Sequence, residues 1–270
     1  MRIGFNFTLG GTLDTVKRLV AEKKIDYCEL LIDNFLHVPP KELESAFECP
    51  VSFHIMFSKF LENDLECLES LAQRLRTYIE VLQPIYISDH IARFTHEGRQ
   101  LYHLAEPEYY RDYEAMRPRI EWWQDQLEQR LFLENYPSIM DNGTDAPWFF
   151  ERLVQQTGAG VLFDASNAIC GKHNCGVPLN AWDPIIDSTH HFHVAGYTES
   201  ILLPKILLDT HDRTLSPETL DFLKCYRKRF DQPQATMTYE RDDNIDYEEI
   251  VSDLESLRRI FEEENHARTA

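Results

Sequence analysis

Residues 190–197 read HHFHVAGY, three imidazoles within four positions at the start of a strand-like run. Side chains two apart on a strand point to one face, so His191 and His193 go together while His190 and Phe192 take the other side. Further residues of ligating type stand late in other strand-like segments. They are His54 in VSFHIM, His90 in YISDHI, Glu134 in LFLENY, Asp164 in GVLFDAS with Asn167 just beyond it, and Glu240 in ATMTYERD. The segment DTHDR adds Asp209 and His211, again two apart. Imidazole and carboxylate without thiolate suit iron, manganese or zinc. Burying so many ionisable groups uncompensated is costly, and divalent cations are the natural compensation.

Residues two apart lie about 6.5 Å apart along a strand. His191 and His193 are therefore expected to serve two neighbouring ion positions. Asp209, His211 and Asn167 would join His193 around a further ion. Asp242 lies one step outward from Glu240 on the same face. It is a candidate for proton transfer or ligand orientation, with a surface salt bridge to Arg213 or Arg241 as the alternative. Asp33 and Asp89 read as structural or supporting groups.

These residues need a scaffold that brings strand ends together. Strand candidates fall at 2–8, 27–33, 51–56, 86–91, 131–136, 160–166, 191–197 and 235–242, each rich in β-branched or aromatic residues. Helix-like stretches lie between them at 12–22, 64–82, 106–130, 148–157 and 247–264. SPETLDFL, from Ser216, opens with an N-cap serine followed by proline. Eight strands alternating with helices predict a (β/α)8 TIM barrel with its chemistry at the C-terminal mouth. No Gly-x-Gly-x-x-Gly follows the first strand, which argues against a dinucleotide-binding open sheet. Parity agrees with a barrel. Thr236, Thr238 and Glu240 share one face and Met237 and Tyr239 the other, so the ligand types point inward and the apolar partners face the helices. Residues 1–264 are expected to form a single barrel domain, and 265–270 a frayed tail.

The 270 residues carry a formal charge of −19, the opposite of what nucleic acid or anionic lipid would attract. The first residues lack the basic and apolar regions of a secretory signal, and no apolar run is long enough to span a membrane. The six cysteines include no Cys-x-x-Cys pair and read as reduced thiols of a cytoplasmic protein.

IGFNFTLGGTLD, IDYCELLIDNF, CPVSFHIMFSKFLE, SDHI, LENYPSIMD, GVLFDASNAIC, HFHVAGY, DTHDR and TYERD together carry a specific resemblance. Over essentially its whole length the chain resembles the multinuclear non-heme iron-dependent oxidative enzymes, and most closely their methanobactin-making branch. The resemblance implies a TIM barrel with two or three irons at the mouth, in mixed ferrous and ferric states. His54, His90, Glu134, Asp164, His191 and Glu240 would surround a pair bridged by Glu134, and Asn167, His193, Asp209 and His211 would hold a third. It also implies an MbnC-like partner subunit and an MbnA-like precursor peptide bearing cysteine. The implied reaction is an O2-dependent, four-electron oxidation of that cysteine to an oxazolone with an adjacent thioamide. The rival readings are a zinc- or manganese-dependent isomerase or phosphoesterase of the xylose-isomerase type, and a barrel that only presents a surface to a partner.

Overall fold

The computed structural model describes residues 1–8, 12–139, 141–201 and 205–262. The frayed tail expected at 265–270 lies outside them. The strands are β1 Arg2–Phe7, β2 Tyr27–Leu31, β3 Val51–Ile55, β4 Ile87–His90, β5 Arg93–His96, β6 Arg99–Ala105, β7 Leu131–Glu134, β8 Gly160–Asp164, β9 His191–Ala195, β10 Tyr197–Glu199, β11 Leu207–Asp209 and β12 Thr236–Glu240. The helices are α1 Leu13–Ala21, α2 Pro40–Ala46, α3 Leu65–Leu82, α4 Tyr109–Leu127, α5 Ala146–Thr157, α6 Ala165–Cys175, α7 Asp183–Ser188, α8 Pro217–Phe230 and α9 Tyr247–Glu262.

Eight strands close into a parallel barrel in the order β1-β12-β9-β8-β7-β4-β3-β2. They are the eight expected from the sequence, each ending one to two residues earlier than its apolar run. At β8 the reason is local. Asp164 turns from strand residue to N-cap, its Oδ1 accepting the Asn167 N–H at 2.6 Å, so GVLFDAS breaks into helix α6 instead of continuing. Two antiparallel hairpins, β5–β6 and β10–β11, were not expected, and helices α2, α6 and α7 fill places in the alternation for which no range was assigned from the sequence. Both hairpins follow barrel strands and flank the mouth.

Outward strand residues such as Phe5, Val161, Phe163, Phe192, Val194, Met237 and Tyr239 are fully buried against the helices. The inward side differs by depth. Tyr27, Tyr86, Phe132 and Leu162 form an apolar floor near the strand N-termini. Two inward glycines make room for it. A Cβ on Gly4 would stand 2.3 Å from the Tyr27 ring, and one on Gly160 would stand 2.3 Å from the Phe132 ring. Above this floor the interior turns polar.

Candidate metal centre

Sheet register sets the polar layer. His90 pairs with Glu134 across β4 and β7, and Asp164 with His193 across β8 and β9. Among the described residues, two groups have ligand atoms that all lie within 4.8 Å of one another: His54, His90 and Glu134, and Glu134, Asp164, His193 and Glu240. Glu134 belongs to both. Its Oε2 lies 3.3 Å from His54 Nε2 and 3.2 Å from His90 Nε2, while its Oε1 lies 3.6 Å from His193 Nδ1. Glu240 Oε2 is 3.0 Å from the same Nδ1.

Hydrogen-bond bookkeeping identifies the nitrogen each ring offers. His90 Nδ1 contacts the Ile55 carbonyl at 3.1 Å and must donate to it, which leaves Nε2 bare. His54 Nδ1 meets Ser88 Oγ at 2.8 Å. The serine proton goes to the Phe53 carbonyl, so Ser88 accepts from His54 and again Nε2 is left for the cluster. Register supplies this partner, because His54 and Ser88 are neighbours across β3 and β4. His193 is turned the other way, with Nδ1 toward the cluster and Nε2 2.8 Å from Glu29 Oε1.

The donor atoms of the cluster are short of partners. Asp164 Oδ2, Asn167 Oδ1, His193 Nδ1, Asp209 Oδ1, His211 Nε2 and Glu240 Oε2 are buried without a hydrogen bond. Such atoms are normally satisfied, and a set of them converging on one space fits a cation. Asp164 spends one oxygen on the helix cap and keeps the other for the cluster. Asn167 Nδ2 must donate to the Asn135 carbonyl at 3.0 Å, which leaves Oδ1 as the free donor.

The protonation tendencies show what positive charge does here. Burial, then repulsion from Asp209, Glu134 and Glu240, pushes Asp164 well above the carboxylate range. Burial would raise Glu134 too, but His193 and His90 hold it well below. Burial would lower His90 and His193, yet Glu134 lifts His90 to about 9, and Glu240 and Glu29 lift His193 well above its ordinary value. His54 carries burial and the His90 charge and falls to about 3. Protons thus balance the carboxylates, a task that a metal held by these residues would take over.

Asp209 and His211 form a neighbouring group. His211 Nε2 is 2.9 Å from Asp209 Oδ2 and 3.8 Å from Glu240 Oε2. His211 adopts a left-handed backbone at φ +49°, pinned by its N–H to the Gly196 carbonyl and by its carbonyl to the Asp242 N–H, both at 2.9 Å. Strain of this kind in a non-glycine residue persists only where its surroundings impose it. The regular extended spacing expected of DTHDR is therefore replaced by a strand end at Asp209 and a turn at His211. Asp242 accepts from Asn6 Nδ2 at 2.8 Å and Thr8 Oγ1 at 2.6 Å, and lies 2.9 Å from His211 Nδ1. It orients His211, while Arg241 binds Glu249 and Arg213 binds Asp212.

The division of His191 and His193 between two ions does not match the geometry. His193 lies in the shared group, and His191 sits one layer lower. The His191 ring stacks on Tyr86 at 4.3 Å and meets Phe132 edge-on at 4.5 Å, with Nδ1 2.9 Å from Thr236 Oγ1. Parity places both on the inner face, but the register of Leu162 with His191 and of Asp164 with His193 sets their depth. Glu29 was missed. Its signal is a lone acid at mid-strand in YCELLID, sharing the inward parity of Tyr27 and Leu31. Asp33 accepts the Met56 and Phe57 N–H groups, and Asp89 accepts from Ser58 Oγ and Trp123 Nε1, so both brace the scaffold.

A cavity of ≈ 930 Å³ opens above the cluster. Its lining combines His54, His90, Glu134, Asn167, Asp209, His211 and Glu240 with the apolar Met56, Phe57, Phe94, Leu101, Leu104 and Leu208.

Fold and site define a (β/α)8 barrel whose C-terminal mouth gathers a buried imidazole–carboxylate cluster able to hold metal. Solved structures agree on the fold. A xylose isomerase-like TIM barrel protein from Mycobacterium smegmatis, in complex with magnesium, superposes with a TM-score of 0.64 at 13% identity over 96% of each chain. A 3-keto-D-glucoside 4-epimerase from E. coli gives 0.62 at 14% identity, covering 96% of this chain and 98% of that one. In sequence the chain is 28% identical to a UPF0276 protein of Rhizorhabdus wittichii, over 87% of this chain and 86% of the relative. It is 26% identical to a UPF0276 protein of Psychromonas ingrahamii, over 82% and 77%. Residues 7–262 match the family described as RiPP precursor modification enzyme MbnB/TglH/ChrH, and the chain belongs to that family of peptide-modifying enzymes.

Proposed function

We propose that this chain is an iron- and O2-dependent oxidase that converts cysteine in a ribosomally made precursor peptide to oxazolone and thioamide groups, as in methanobactin-type copper chelator biosynthesis. The observation that carries this reading is Glu134, one carboxylate standing in two groups of ligands. His54, His90, Glu134, Asp164, His193 and Glu240 would hold a pair of irons, and Asn167, Asp209 and His211 a third. Bound there, iron would supply the redox chemistry toward O2 that zinc lacks.

The chain's own residues prepare the site. Ser88 and the Ile55 carbonyl hold the rings of His54 and His90 with Nε2 toward the cluster. Asp242, held by Asn6 and Thr8, orients His211. The apolar lining of the cavity would remove water from an arriving peptide and leave the polar lining to its thiolate, the ligand form of cysteine. The overall conversion takes four electrons and four protons from the peptide, matched by reduction of one O2 to two waters. An MbnC-like partner subunit and an MbnA-like precursor peptide complete the proposed assembly in the cytoplasm, with residues 1–264 as one catalytic domain.

A second reading rests on the donor set, which also suits zinc or manganese in an isomerase or phosphoesterase. Anaerobic purification, elemental analysis, Mössbauer spectra and O2 uptake with a cysteine peptide separate the two. More than one iron per chain and peptide-dependent O2 uptake are expected. Stoichiometric zinc or manganese, with no iron and no O2 uptake, overturns the oxidase.

A further inference from the structure

Glu29 stands on the inner face of β2 directly beneath the cluster and is 1% exposed. Its Oε2 accepts from Tyr86 Oη and, at 3.4 Å, from Ser52 Oγ, its register neighbour on β3. Its Oε1 lies 2.8 Å from His193 Nε2. A buried carboxylate is costly unless its oxygens are used, and Oε1 has no formed hydrogen bond. His193 is also the ring in the cluster that presents Nδ1, whereas His54 and His90 present Nε2.

We propose that Glu29 is the positioning residue of His193, accepting its Nε2–H and so fixing the tautomer that offers Nδ1 to metal. This rests on the metal reading above. An ionised carboxylate only accepts, so the proton between the two must sit on Nε2, and the Nδ1 lone pair then faces Glu134 and Glu240. Tyr86 and Ser52 hold the carboxylate from below. The ring stands at contact distance from Glu29 but off the hydrogen-bond angle, and a small rotation about its own axis would close the bond. Carboxylate partners of ligating histidines commonly set ring orientation and basicity in this way.

The test uses Zn(II) as a diamagnetic probe on the metal-stripped full chain. Glu29→Gln keeps an acceptor and Glu29→Met fills similar space without one. Chelator competition gives affinity, and long-range ¹⁵N spectra of histidine-labelled protein report which ring nitrogen is protonated. E29M is expected to bind zinc about 10- to 100-fold more weakly, while E29Q stays much closer to wild type. In the zinc-loaded protein, wild type and E29Q should show His193 ligated at Nδ1 and protonated at Nε2, and E29M a mixture of rings ligated at either nitrogen. Should E29M fail to fold, Glu29→Ala gives the same two readouts. Unchanged affinity together with an unchanged tautomer in the acceptor-less variant overturns the role of Glu29, as does protonation at Nδ1 in the zinc-loaded wild type. His193→Ala and Glu134→Ala serve as controls. If they too bind zinc like wild type, the metal reading itself fails and the proposal falls with it.

Discussion

Glu134 lies between His54 and His90 on one side and His193 on the other, within 3.2 to 3.6 Å of a nitrogen of each. Glu134→Ala should therefore strip metal from both groups, whereas His54→Ala should thin only one. Metal per chain, measured after equal loading, checks this, and full retention by Glu134→Ala would count against sharing. His191 belongs to a different account. Burial, then the charges of His190 and Arg2, pushes it from an ordinary 6.5 to about 3. Its folded value is depressed, so the stability it contributes is present above pH 6.5 and is lost as pH falls toward 3. By pH 5 the loss is about 2 kcal/mol. His191→Phe lacks that loss, so urea unfolding should show the variant gaining on wild type by about this amount between pH 7 and pH 5. The same variant should keep its metal. Alternation by twos made the inward ligand types legible in the sequence, because period is a local property. It could not give depth, which depends on how neighbouring strands slide, and so His191 and His193 were read as equals. Glu29 escaped because a mid-strand acid shows its partner only when another strand brings His193 above it.

Strand β11 is clamped by one side chain. Asn174 of α6 donates to the Leu207 carbonyl at 2.9 Å and accepts the Leu207 N–H at 2.8 Å, two residues before Asp209. Asn174→Ala releases that clamp and should lower metal content at the Asp209–His211 position while leaving the Glu134 groups filled. Stepwise metal titration monitored spectroscopically distinguishes this from uniform loss. At the floor, Gly160→Ala should destabilise the barrel by about 1–3 kcal/mol through overpacking against Phe132, seen as a lower melting temperature with no change in metal stoichiometry. The barrel strands were legible because each is a compact β-branched or aromatic run. The hairpins were not, because β10 and β11 have only three residues each and β5 carries Arg93 and His96. Helix α6 was hidden by its cap, since Asp164 completes the strand pattern and starts the helix with the same side chain.

The whole chain carries a charge of −19, yet apolar surface is exposed beside the mouth, with Phe57, Ile139 and Leu208 at 55%, 43% and 37%. All three line the cavity. Among the described residues no helix is long and apolar enough to cross a membrane. On the proposed function this apolar rim receives the peptide. Phe57→Asp combined with Leu208→Asp should then weaken peptide binding at least tenfold, by calorimetry, with metal content unchanged; equal affinity would send the peptide elsewhere. The packed floor of Tyr27, Tyr86, Phe132 and Leu162 lies at the opposite end of the same interior. It makes the barrel blind-ended. On the proposed function, peptide, dioxygen and product would share one doorway, a seated peptide would act as its cork, and the order of arrival would become part of the kinetics.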